Sequence, residues 1–174
     1  DIGGTRTSIA MQAAEVLGIP VEDVRPSVVD TDSVGFTGVT GGSRTTFATG
    51  LAAYEAAMDV KRQMVERASK IWDVPADGID MEDGVIRSKS DPELNMPFKE
   101  LAKQQTDTGG SIIGRAAVKP GGAGGSFAAN IVEVEVEPET GKVTILRFTA
   151  IQDAGKAIHP SYVEGQMQGG SVQG

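Results

Sequence analysis

The sequence predicts an α+β fold: a two-layer α/β sandwich in which helices pack on a mixed or antiparallel sheet. Three observations carry this. From about residue 44 to 72, apolar residues recur at helical spacing. Two segments, 127–137 and 142–152, alternate apolar and polar residues on either side of Pro138-Glu139-Thr140-Gly141. The remaining helical and strand patterns alternate loosely, without an internal repeat or a low-complexity tail.

In chain order, residues 5–17 read as a helix with Ile9, Ala13, Val16 and Leu17 on one face, stopped by Gly18 and Pro20. Val24–Asp30 reads as a short strand centred on Val28 and Val29, and residues 31–42 as a glycine-rich loop. The long helix follows, with Phe47, Leu51, Tyr54, Met58, Val65, Ala68 and Trp72 on its core face. Residues 73–96 read as loop with weak strands at Ile79–Met81 and Val85–Ser88. Phe98–Gln105 reads as a short helix and Ile112–Lys119 as a strand, broken by Pro120–Gly125. In the hairpin, Val132, Val134 and Val136 face the core, and Glu133, Glu135 and Glu137 face water. The hairpin is expected in the sheet of the sandwich. Pro160 then sits at the start of a last helix.

Composition narrows the chemistry. The 174 residues contain 23 glycines, well above the usual ~7%, and these are not periodic. There is no cysteine, so thiolate zinc sites, iron–sulfur ligation and cysteine nucleophiles are excluded from this chain. The one histidine, His159, reads as a surface or cap residue. A net charge of −8 argues against nucleic-acid partners and anionic membranes. No apolar run is long enough for a transmembrane helix. The ends, Asp1 and Gly174, read as cuts in a longer polypeptide.

The glycines fall in four clusters. Asp1-Ile-Gly-Gly-Thr-Arg-Thr7 is similar to the phosphate loop of sugar kinases of the actin/hexokinase class, but it is followed by a helical pattern where those kinases need a strand. Thr40-Gly-Gly-Ser-Arg-Thr-Thr46 precedes the long helix and has the chemistry of an anion site. A helix N-terminus offers unpaired N–H groups, Gly41 and Gly42 admit a ligand to the backbone, Ser43 and Thr45 add hydroxyls, and Arg44 adds a guanidinium fork. An ordinary capped helix start would use the same residues. Gly121–Gly125 precedes a strand, so it reads as a turn rather than a dinucleotide fingerprint. Gly165–Gly174 places glycines in a helix, where each costs ~1 kcal/mol relative to Ala, so bare backbone there must serve packing or a ligand. Asp30 and Asp32 read as loop acids rather than as a metal pair, and no metal ligand or catalytic residue is assigned.

Taken in order, the segments DIGGTRTSIAMQAAEVLG, IPVEDVRPSVVDTD and VTGGSRTTFATGLAAY, with QDAGKAIHPSYVEGQMQGGSVQG at the end, resemble the molybdopterin-binding large subunit of the xanthine dehydrogenase/aldehyde oxidase family. The large subunits of carbon monoxide dehydrogenase type are nearest in style. The resemblance covers essentially the whole chain. It implies that residues 1–174 are part of a molybdopterin-binding domain in a larger oxidoreductase subunit, a molybdenum hydroxylase that uses water to hydroxylate an aldehyde, heterocycle or related carbon. It implies a molybdopterin-type molybdenum cofactor in its cytosine dinucleotide form, with iron–sulfur clusters and FAD only on other subunits or domains. The partners implied are the rest of the molybdenum subunit, the iron–sulfur and flavin subunits and a small-molecule substrate, in the cytoplasm.

By matching position, Gly3, Gly4 and Thr5 would form the first cofactor loop. Gly41, Gly42, Ser43, Arg44 and Thr45 would hold a phosphate or the pterin edge, and Gly165 with Gln166 would supply a further contact. Two places depart from the pattern: the family's first loop often reads G-Q-G, and Asn commonly stands where this chain has His159. The family's catalytic Glu lies in a G-x-G-E segment beyond residue 174, so the piece alone is expected to be inactive and to retain cofactor weakly. The competing readings are the sugar kinase and a noncatalytic binding domain whose glycines serve packing only.

Overall fold

The computed structural model describes residues 4–27, 32, 35–39, 41–122 and 124–174. The chain divides into two compact units, Asp1–Pro120 and Gly121–Gly174.

In the first unit, α1 spans Thr5–Leu17, as its pattern predicts. Gly18 ends it at φ 64°, and its N–H caps the Ala14 and Glu15 carbonyls. A second constraint adds to the first: a Cβ on Gly18 would overlap the backbone of Asp83 and Gly84. The buried residues of α1 are Ala10 and Ala14, smaller than the Ile9 and Val16 expected there, and they let α1 lie close to the next helix. A single 3₁₀ turn covers Val21–Asp23, and residues 24–27 form no strand. Val28, Val29 and Asp30, the heart of the strand expected there, lie outside the described residues.

Helix α2, Thr45–Trp72, is the spine of this unit. In its second half Ala68 is buried as predicted and Val65 and Trp72 are half-buried, while Met64, not among the expected core residues, is buried too. Its first half differs. Gly50 and Ala57 are buried, whereas Phe47, Tyr54 and Met58 are exposed. Tyr54 is therefore not a core residue. α1 takes the small-residue side of α2, because two helices approach closely only where side chains are short.

Beneath α2 lies a three-stranded antiparallel sheet in the order β1-β2-β3, formed by Ile79–Glu82, Val85–Ser88 and Asn95–Pro97. β1 and β2 join through Asp83 and Gly84, both at positive φ, the two-residue turn that suits a right-twisted hairpin. Ile79, Met81 and Ile86 pack with Met64, Ala68 and Leu101 as the core. Leu101 belongs to α3, Phe98–Lys103, which is followed by the short α4, Gln105–Thr108. The strand expected at Ile112–Lys119 does not form. That stretch has no regular structure, and part of it lies along α2.

The second unit holds β4, Ala128–Val136, antiparallel to β5, Val143–Gln152, and then α5, Pro160–Gln173. The turn is closed by the Gly141 N–H on the Glu137 carbonyl at 2.8 Å. The register pairs Val132 with Phe148, Val134 with Ile145 and Val136 with Val143, with a bulge between Glu133 and Val134. The hairpin is its own two-stranded sheet, not part of β1-β2-β3. The α+β class stands, with helices on a small antiparallel sheet. No described residue of this unit is buried, so the expected core face of Val132, Val134 and Val136 is exposed.

Candidate functional site

α1 and α2 run in the same direction. Gln12 donates to the Thr46 carbonyl at 3.3 Å in the first turn of α2, whereas Leu17 packs against the cluster that contains Met64 and Ala68. Two of the predicted loops therefore lie towards the same end of the helix pair: Gly4–Thr5 at the start of α1 and Gly41–Thr45 at the start of α2. Gly3 and Thr40 lie outside the described residues.

Both helix starts lack a side-chain cap. Gly4 precedes α1 at φ 77° and Arg44 precedes α2, and neither makes a side-chain cap hydrogen bond; in α1 the Ser8 hydroxyl donates to the Gly4 carbonyl at 3.3 Å. Arg44 rather than Ser43 stands at the N-cap position, so the alternative of an ordinary helix start capped by Ser43 is not seen; the other candidate cap, Thr40, lies outside the described residues. Among the described residues no side chain caps the first-turn N–H groups of α2, at the positive end of its dipole. Gly42 and Ser43 sit at φ 68° and 53°. Glycine takes that conformation freely. Serine holds it at a cost of order 1 kcal/mol, a strain that commonly marks functional loops.

A Cβ on Gly41 would meet nothing within 4 Å, so packing inside the chain does not explain that glycine. Arg44 folds back so that its Nη2 donates to the Val39 carbonyl at 3.4 Å, and a Cβ on Gly38 would lie 2.8 Å from it. Residues 41–44 are all exposed. The loop offers N–H groups, two hydroxyls and a guanidinium, a set rich in donors, and that is chemistry suited to an oxyanion.

Gln12 was not picked out by sequence reasoning. Its amide packs against Gly50, where any Cβ would collide with it, and its Oε1 is buried without a partner. Gln12 sets how α1 and α2 meet beneath the loop. The signal for it was Gly50, a glycine inside a helix that otherwise favours alanine.

Gly165 and Gln166 belong to the second unit. Gln166 lines a groove of about 370 Å³ with Asn130, Phe148, Gln152, Met167 and Ser171. Cβ atoms on Gly165, Gly169 and Gly170 would meet nothing within 4 Å, so packing within their own unit does not explain these glycines. His159 is the N-cap residue of α5. Its ring stacks on Tyr162 at 3.9 Å, and its Nδ1 lies 3.2 Å from the Ser161 hydroxyl. Another groove, of about 510 Å³, lies between the end of α1 and Asp83 and contains none of the predicted residues.

Among the described residues no group of three His, Cys, Asp or Glu could hold a metal ion, and no helix is long and apolar enough to cross a membrane. Asp30 lies outside the described residues, and Asp32 is exposed. The first loop runs straight into helix α1, not into the strand a sugar kinase of the actin/hexokinase class requires.

Comparison with known proteins gives the family and the fold. The family described as molybdopterin cofactor-binding domain matches residues 1–174. The xanthine dehydrogenase molybdenum-binding subunit of Escherichia coli is 29% identical over 98% of this chain and 23% of its own length. The carbon monoxide dehydrogenase large chain of Afipia carboxidovorans is 30% identical over 98% of this chain and 22% of its own. The crystal structure of a Cu,Mo-containing carbon monoxide dehydrogenase in its carbon monoxide-reduced state superposes with a TM-score of 0.81 at 28% identity, covering 96% of this chain and 22% of that one. The chain thus spans less than a quarter of the length of the relatives it matches.

Proposed function

The chain belongs to the molybdopterin cofactor-binding domain family, and from that premise we propose that it is one part of the cofactor-binding region of a larger molybdenum subunit. The observation that carries this reading is the donor-rich loop Gly41–Thr45 at the start of α2, where Arg44 makes no side-chain cap. The residues fit the group. A phosphate-bearing cofactor needs hydrogen-bond donors and close backbone approach, and the loop supplies N–H groups, Ser43 and Thr45 hydroxyls, Arg44 and the open Gly41. Gly4 and Thr5 add a second uncapped helix start at the same end. Gly3 belongs to this loop by its position in the sequence. Gly165 and Gln166 would add an amide contact from their own unit, since Gln166 carries both donors and an acceptor.

When bound, the cofactor supplies the redox chemistry of an oxidoreductase that hydroxylates an aldehyde, heterocycle or related carbon with water. The residues of this chain bind and orient it, and none of them is assigned to a proton-transfer step. The cytosine dinucleotide form of the cofactor is part of the same reading, supported by two anion-ready helix starts, which suit a ligand with more than one phosphate. Iron–sulfur clusters and FAD would be carried by other subunits or domains, because this chain has no cysteine for a cluster. The substrate would be a small molecule and the setting the cytoplasm. The charge of −8 weighs against nucleic acid as a partner.

The test is bound molybdenum in the full-length protein. Arg44→Ala removes a charged fork and is expected to weaken cofactor retention about 10- to 100-fold, and Gln166→Ala by less. Unchanged metal content in both would overturn the site assignment and favour a noncatalytic domain. The 174-residue chain alone is expected to show no turnover and little bound molybdenum.

A further inference from the structure

Between Gly109 and Arg115 the backbone forms no regular element, yet it is tied to α2 at successive turns. Arg67 Nη2 donates to the Gly109 carbonyl at 3.1 Å and to the Gly110 carbonyl at 3.4 Å. One turn closer to the start of α2, Gln63 Nε2 donates to the Ile113 carbonyl at 3.0 Å. A turn further, the Arg115 N–H donates to the Asp59 carboxylate at 3.2 Å. Gly114 lies so near the Ala56 carbonyl that a Cβ would collide with it, and a Cβ would also come within 2.6 Å of Val60 Cγ2. Numbers fall along α2 as they rise along the segment. The segment therefore runs antiparallel to the helix, towards the end that carries Gly41–Thr45.

Asp59, Gln63 and Arg67 follow one another at intervals of four and form a polar stripe on α2. Asp59 is its centre. The carboxylate also accepts from Gln63 Nε2 at 2.9 Å and pairs with Arg62, so it aims the amide that holds Ile113 as well as holding Arg115 directly. We infer that residues 109–115 are a strap, that Asp59 is the positioning residue that holds it on α2, and that the strap directs the following chain towards the cofactor-binding end of that helix. The last clause rests on the proposed cofactor site; the first two do not.

Amide hydrogen exchange on the whole chain is the first readout. Asp59→Ala is expected to speed exchange at Arg115 about tenfold or more. Gly114→Ala, which leaves Asp59 intact and lifts the strap sterically, should do the same. Asp59→Asn keeps an acceptor oxygen for Arg115 and Gln63 and should stay within about threefold of the parent chain, a rescue that a role in charge alone would not allow. Amides of β1 and β2 should keep their parent rates in all three. Unchanged exchange at Arg115 in Asp59→Ala overturns the strap, and so does protection lost throughout β1 and β2. In the molybdenum-loaded full-length protein, Asp59→Ala and Gly114→Ala should each lower bound molybdenum about threefold or more. A released strap with metal content unchanged overturns the last clause, the direction towards the cofactor-binding end, and leaves the first two standing. The cofactor reading falls separately, and only if Arg44→Ala also leaves the metal in place.

Discussion

The two units treat the same kind of sequence in opposite ways. In Asp1–Pro120, Met64, Met81, Ile86 and Leu101 are almost fully buried, and strands of only four residues are held because a long helix covers them. In Gly121–Gly174 the strands are nine and ten residues long and the first carries alternating valines, yet none of the described residues is buried. Strand length and pattern are properties of the local chain; burial is a property of what covers it. A two-stranded ribbon has too few neighbours to form an interior, and such ribbons are marginal in water without a further layer. The second unit therefore has regular structure with little stability of its own, and the first has short elements with a core.

That contrast can be broken most decisively by separation. Residues 1–120 expressed alone should keep a cooperative thermal transition, and residues 121–174 alone should show none. A cooperative melt of the smaller piece would overturn the contrast. Next in size, Ile86→Ala should cost about 2–5 kcal/mol in urea unfolding, because it empties a fully enclosed site. Gly18→Val should cost about 1–3 kcal/mol or more, since it adds both a strained φ and a collision with the β1–β2 turn. Val134→Ala in the hairpin should stay within about 0.5 kcal/mol in the 174-residue chain, as an exposed position does.

The smallest effect expected is a pH dependence at Asp59. The hydrogen bond from Arg62, and then that from the Arg115 N–H, hold its carboxyl below the usual carboxylate range, against the opposing effect of burial. A depressed folded-state value means that its contribution is complete at neutral pH. It is lost as the pH falls below about 4, through the folded value. Urea midpoints measured from pH 7 to pH 3 should therefore fall less steeply in Asp59→Asn than in the parent chain.

Much of the fold was legible because the signals were local. α1 ends where Gly18 takes a left-handed conformation, and the hairpin turn sits where Gly141 permits it. The β1–β2 hairpin was within reach too, since Asp83-Gly84 between two apolar pairs is a turn signal, but β3 is only three residues long and has no pattern of its own. Ile112–Lys119 was misread because its apolar residues satisfy a strand template. Its partners on α2 proved to be Asp59 and Gln63, polar residues that hydrophobic periodicity cannot register. Phe47, Tyr54 and Met58 failed as core residues for the converse reason: periodicity finds a face, not its cover.

The site divides along the same line. The amino-acid sequence by itself determined the family, the donor-rich loop before α2 and the absence of any cysteine ligand, because these depend on residue types in order along the chain. The tertiary structure alone decided that Gly4–Thr5 and Gly41–Thr45 share one end of a helix pair, and that Gln12 and Gly50 set how the two helices meet there. It also decided which apolar faces are covered. Those outcomes depend on which surfaces come within a few ångströms of each other, and distance in space is not written in spacing along the chain.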